Sequence, residues 1–280
     1  MLIAFEQGNF DMATSSTQPA TNKATATAPS YVAPKKEFRT AWHALRALMA
    51  NPEDTKQVFT IMRALTGNSM YKQYKRFAKT DIGANILANE IDLLDTLADR
   101  SALAKLPVGS LGRVYLDFMT REGISAEGLV EASEDVYAGM NHPELERFSM
   151  RSREMHDLWH VISGYGRDGL GEICVVAFSY AQTKSLGFAA IAAMGAVKYS
   201  REFPGNGVLK AVWQAYRNGR KTAWLPGQDW EHLLTQPYDE VRVMLQTQKP
   251  THYQAAATVS AQTRPEPVIT TEHPETAIAA

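Results

Sequence analysis

The chain has 280 residues, 45% of them hydrophobic, which is enough for one domain with a substantial core. Lysine and arginine total 29 against 30 for aspartate and glutamate, so there is no broad positive field of the kind that holds nucleic acid, and nucleic acid is not an expected partner. The only cysteine is Cys174, which excludes an internal disulfide framework and a thiolate metal site and fits a reducing compartment.

Residues 11–34 are rich in Ala, Thr, Ser and Pro, with too few large apolar side chains to offset the entropy of ordering, so 1–36 is predicted to be a disordered leader. Glu6, Asp11 and the lack of any arginine before Arg39 argue against a transit or secretory peptide, and a bacterial cytoplasmic protein is expected. From Phe38 the pattern becomes helical. Phe38, Trp42, Leu45 and Met49 step by 4, 3 and 4 and predict a helix over 38–50. Asn51-Pro52 then reads as the start of a second helix, with Val58, Ile61, Met62 and Leu65 facing inward and Gly67 ending it.

Helical patterning continues at 69–78, 85–98, 110–121 and 125–135, punctuated by Pro107, Gly109 and Gly123, and no clear strand signal appears. A long helix is predicted from Pro143 to Ile162, because Asn141-His142-Pro143 and the early Glu144 and Glu146 suit the positive end of a helix dipole. It stops in the glycine-rich stretch 163–169. The most apolar helix is predicted over 168–199, closed by Pro204, Gly205 and Gly207, with further helices near 208–219 and 237–247. Its clean apolar run, Leu186–Val197, is 12 residues long, short of the ~20 that a membrane span needs, so it reads as a core helix. Its Ala/Gly-rich flank could line a groove for a long apolar ligand. From Lys249 the Thr, Ala, Pro and Glu residues lack periodicity and predict a disordered tail over 249–280. The expected fold is all-α, a single-domain helical bundle over 37–248.

The chemistry sits at the end of the long predicted helix. His156 and His160 are four apart, so both imidazoles leave one face and can share an ion. Asp157, turned about 100° from His156, can join from the side or act as an acceptor that holds a histidine or a water. Glu172 opens the next helix and reaches the pair if that helix folds back. Two imidazoles with one or two carboxylates suit zinc, and tolerate Fe²⁺, Mn²⁺ or Co²⁺; a divalent metal, zinc, is the expected cofactor. A histidine pair alone is often a satisfied core pair, and Glu172 in a first turn also serves the helix dipole.

His156-Asp157-Leu158-Trp159-His160, eleven residues, then Glu172, resembles the HDxxH(x11)E signature of the Coq-four family of ubiquinone biosynthesis proteins. The resemblance extends over roughly 38–247 and includes Leu111-Gly112-Arg113, Arg147 and the glycine-rich turn. It implies an all-helical fold and metal ligation by His156, Asp157, His160 and Glu172. It also implies a place on a membrane surface with other ubiquinone biosynthesis enzymes. The implied reaction is metal-dependent removal of the C1 carboxyl of a polyprenylated hydroxybenzoate, with hydroxylation there. The inner membrane of a bacterium is the expected location, with the matrix side of the mitochondrial inner membrane as the alternative, and a homo-oligomer is expected.

Two other readings compete. Four protein ligands could close the site and leave a non-catalytic scaffold that binds polyprenyl lipid. A zinc hydrolase is the remaining reading, although an aspartate in place of the protease glutamate would reach a metal-bound water poorly. His142, His232, Trp159, Met140, Met150 and Met155 are expected to be turn or packing residues, and Arg167 and Lys198 solvated charges.

Overall fold

Fourteen α-helices, one 3₁₀ turn and no strand form among the described residues of the computed structural model, which are 31–51, 54–126 and 142–263. The early helices are α1 (Phe38–Ala50), α2 (Thr55–Thr66), α3 (Ser69–Phe77), α4 (Asp81–Ala88), α5 (Leu93–Ala98), α6 (Arg100–Lys105) and α7 (Leu111–Glu122). The later ones are α8 (Pro143–Ser163), α9 (Gly169–Thr183), α10 (Leu186–Glu202), α11 (Val208–Lys221), α12 (Trp230–Leu233), α13 (Tyr238–Met244) and α14 (Thr251–Thr263). The all-α expectation holds. Pro52, Met140 and the predicted leader before residue 31 lie outside the described residues, as does most of the segment 125–135.

Three boundaries depart from the sequence reading. The segment 85–98 is two helices, parted where Glu90 takes a φ of 53°, and 168–199 is likewise two, parted where Lys184 takes a φ of 58°. Neither break carries the glycine that usually marks a left-handed residue. Within the predicted tail Thr251–Thr263 is helical, with Tyr253 and Ala256 burying their side chains in the main core, and 264–280 lie outside the described residues.

That core gathers α5 to α11 and the segments after them, with Leu111, Tyr115, Met155, Leu158, Ile162 and Trp230 among its most buried side chains. A separate apolar cluster joins α1 and α2 to α10, and a third joins α3 and α4 to the start of α8. Helices α9 and α11 approach so closely that a Cβ on Gly219 would stand 2.6 Å from the Phe178 carbonyl oxygen. Gln182 secures this pair. Its amide donates to the carbonyls of Gly219 (2.6 Å) and Thr222 (3.3 Å) and accepts from the Leu225 N–H (2.9 Å), so the buried end of α11 keeps its backbone partners. Leu111-Gly112 is also a packing element. The Gly112 N–H donates to the Leu234 carbonyl at 2.8 Å, and a Cβ there would overlap Leu106.

Candidate metal centre

Helix α8 carries the centre. Pro143 occupies its first turn, where a missing N–H costs nothing, and His142 caps it by accepting the Leu145 N–H on Nδ1 at 3.3 Å. Met155, Leu158 and Ile162 anchor one side in the core, which turns His156, Asp157 and His160 toward α9. The two imidazole centroids are 4.8 Å apart, and Asp157 Oδ1 lies 3.4 Å from His156 Nδ1. One donor atom from each of His156, Asp157 and His160 falls within 4.8 Å of the other two.

The helix then ends at Gly164, whose φ of 75° is the left-handed cap that lets the chain reverse. Asp168 starts α9 by accepting the N–H groups of Leu170 and Gly171, both at 3.1 Å. This places Glu172 in the first turn. Its Oε2 is 3.4 Å from His160 Nε2, and its Oε1 is 3.7 Å from Arg167 Nε. Glu172 therefore stands beside the compact group of three, reaching it through His160. The reversal is tight, since a Cβ on Gly171 would overlap the Gly166 carbonyl oxygen.

His160 is the most informative atom set. Its Nδ1 lies 3.0 Å from the Tyr165 carbonyl, which can only accept, so Nδ1 carries a proton, and in the neutral ring Nε2 keeps a lone pair. That Nε2 is buried and has no hydrogen-bond partner. A buried acceptor left bare costs on the order of 1–3 kcal/mol, and a cation supplies what it lacks. Two ligands of a tetrahedral ion with ~2.1 Å bonds are separated by about 3.4 Å. The His160–Glu172 spacing of 3.4 Å meets that requirement, and the donor atoms of His156 and Asp157 lie within 4.8 Å of one another and of His160. The residues fit a divalent ion.

The electrostatics agree with a cation site. Burial disfavours charge on His156, but the Asp157 carboxylate, with help from Glu172, outweighs it and holds the histidine above its ordinary value. Burial likewise opposes ionisation of Asp157 and Glu172. At Asp157 the neighbouring His156 prevails and holds the carboxyl below the usual range, with Arg167 adding to the effect.

Among the expected turn and packing residues, His142 is a cap, Trp159 is buried in the core, and Met155 accepts the Trp230 indole N–H at 2.8 Å. Met150 lines a cavity of about 180 Å³ between α5 and α8. Lys198 donates to the Met49 carbonyl at 3.1 Å. Arg167 does more than sit in solvent, since it faces Glu172. The sequence reading missed three contributors: the Tyr165 carbonyl that sets the His160 tautomer, Asp168, and Tyr253, whose hydroxyl accepts the Gly166 N–H at 3.0 Å and donates to Asp168. Asp168 was recoverable as a cap just before a helix; a backbone carbonyl and a residue 85 positions away leave no local signal.

The family model described as coenzyme Q (ubiquinone) biosynthesis protein Coq4 matches residues 31–251. A ubiquinone biosynthesis protein coq4, mitochondrial, from Sclerotinia sclerotiorum is 27% identical over 185 residues, which are 65% of this chain and 62% of that protein. The chain therefore spans less than two thirds of that relative. The ubiquinone biosynthesis protein COQ4 homolog, mitochondrial, of Danio rerio is 27% identical over 205 residues, 73% of each chain. A crystal structure of a protein from Nostoc punctiforme PCC 73102 superposes with a TM-score of 0.55 at 24% identity, covering 75% of this chain and 98% of that one, a likeness of fold alone.

Proposed function

The chain belongs to the Coq4 family of coenzyme Q (ubiquinone) biosynthesis proteins, and on that premise we propose that its histidine and carboxylate group serves metal-dependent decarboxylation at C1 of a polyprenylated hydroxybenzoate. The observation that carries the reading is the bare, buried Nε2 of His160 gathered with His156 and Asp157. His156, His160, Asp157 and Glu172 are the residues that would hold the ion, zinc by its donor set. A bound ion would supply Lewis-acid stabilisation of the negative charge that develops as the carboxyl departs.

The chain's own side chains have separate tasks. The Tyr165 carbonyl keeps the His160 lone pair aimed inward, and Asp157 orients His156. Arg167 is half-buried beside Glu172 and can attract an anionic ring substituent toward the centre. When the C1–carboxyl bond breaks, CO₂ leaves and the bonding pair stays on C1, which then takes a proton. Hydroxylation at C1 would in addition require O₂ and a source of electrons, which another ubiquinone biosynthesis enzyme would provide. A second reading has support in Glu172, whose position 3.4 Å from His160 offers a fourth ligand that would close the shell and leave a lipid-holding scaffold.

Incubation of the purified protein with a C1-carboxylated prenyl phenol under air separates the two. Mass spectrometry should show loss of the carboxyl with the wild type and at least a hundredfold less with His156→Ala, about 3 kcal/mol of lost transition-state stabilisation. Intact carboxyl together with co-purified prenyl lipid would give the case to the scaffold.

A polyprenyl substrate resides in a bilayer, yet no helix among the described residues is long and apolar enough to cross one. The surface of α1 suits peripheral contact instead. Phe38 and Trp42 stand exposed one turn apart, at 65% and 53%, among exposed Lys35, Lys36, Arg39 and Arg46, with Glu37 the one acidic residue in 31–50. Aromatic side chains ringed by cations are what an anionic lipid surface accepts. Flotation with anionic liposomes should retain the wild type, weaken as salt rises, and fall about tenfold or more for Phe38→Ser with Trp42→Ser, which together remove roughly 2–3 kcal/mol of interfacial burial. Equal retention of the double variant would dismiss this face.

A further inference from the structure

We propose that Tyr253 is a positioning residue for the metal centre, its hydroxyl clamping the turn that sets how far apart the two ligand-bearing helices stand. The inference rests on reading His156, Asp157, His160 and Glu172 as metal ligands. Tyr253 lies on α14, two positions past residue 251, where the family match ends. Its ring is buried and meets Tyr165 edge-on, with centroids 5.5 Å apart.

The hydroxyl joins both sides of the reversal. It accepts the Gly166 N–H at 3.0 Å and donates to Asp168 Oδ2. Burial and the Asp168 carboxylate push the phenol above its ordinary range, so it retains the proton that it donates. Each partner then leads to a ligand. Gly166 follows Tyr165, whose carbonyl fixes His160, while the other carboxylate oxygen of Asp168 caps the helix that presents Glu172. The fit is close, because a Cβ on Gly166 would stand 2.6 Å from the Tyr253 hydroxyl oxygen. Removing that one oxygen frees the turn at two points while leaving the ring packed.

The test compares zinc affinity, measured on the full chain by competition with a chromogenic chelator, with the melting temperature of the metal-free protein. Tyr253→Phe should weaken zinc binding about 10–100-fold, the usual effect of losing an outer hydrogen bond that orients a ligand, while the metal-free melting temperature moves by only a few degrees, about the effect of one hydrogen bond. Gln214→Ala is the control. Gln214 holds the start of α14 through Thr251 (2.9 Å) and the His252 N–H (2.8 Å), away from the turn, and its loss should leave zinc affinity within about twofold. Zinc binding by Tyr253→Phe equal to wild type overturns the clamp. So does an equal loss in Gln214→Ala, since loosening α14 would then suffice. A wild-type chain that binds no zinc overturns the metal reading and the clamp together, which separates that failure from the other two.

Discussion

His160→Leu is expected to bring metal content from about one ion per chain to background while leaving the metal-free fold standing. The side chain is 1% exposed, and an ordinary buried histidine replaced by leucine would lose a satisfied polar network. Here one ring nitrogen is already without a partner, so the substitution removes an unmet acceptor as well as the bond to the Tyr165 carbonyl. The two terms are each on the order of 1–3 kcal/mol and oppose one another, so metal-free stability should shift by no more than about 2 kcal/mol. The difference emerges with zinc. At a free concentration a hundred times its dissociation constant, zinc adds about 2.7 kcal/mol to the wild type and nothing to the variant. Elemental analysis and urea denaturation with and without zinc measure both. A variant that unfolds without metal, or retains zinc, would make His160 a structural residue.

Gly171→Ala should be a strongly damaging small substitution. Its Cβ would overlap the Gly166 carbonyl oxygen and press on the carbon behind it at 2.7 Å, and both are backbone atoms that cannot rotate away. The turn must open, at a cost of about 3 kcal/mol or more. Because α9 carries Glu172 four residues beyond Asp168, opening also draws that carboxylate from His160. Gly123→Ala supplies the contrast. It has a φ of 65° but nothing within 4 Å of the added carbon, and should cost only about 1–2 kcal/mol in denaturant unfolding. Similar losses at both positions would refute the steric account of the turn.

Helical periodicity made most of the fold legible, as Phe38–Ala50 and Pro143–Ser163 show, although in the first of these the buried face is Ala41, Ala44 and Leu45 while Phe38 and Trp42 of the predicted stripe stand exposed. The adjacency of His156 and His160 was legible from the same periodicity. Glu172 was legible only as far as the reversal could be assumed. What escaped was long-range or atypical. Lys184 and Glu90 break helices in a conformation for which their side chains give no hint, and α14 has little amphipathic pattern because only Tyr253 and Ala256 of its first two turns are buried. The tautomer of His160 depends on a carbonyl, and every residue has one.

The break at Lys184 also bears on the membrane-surface contact proposed for this chain. It divides the most apolar stretch into helices of 15 and 17 residues, roughly 22 and 25 Å long, each shorter than the ~30 Å of hydrocarbon that an insertion machinery would test. The two fold against each other, and the buried residues of the first, among them Cys174, Val175 and Phe178, are held inside the protein. If the contact of α1 with anionic lipid proposed above holds, attachment would be an equilibrium and not a commitment, with occupancy set by lipid charge and ionic strength.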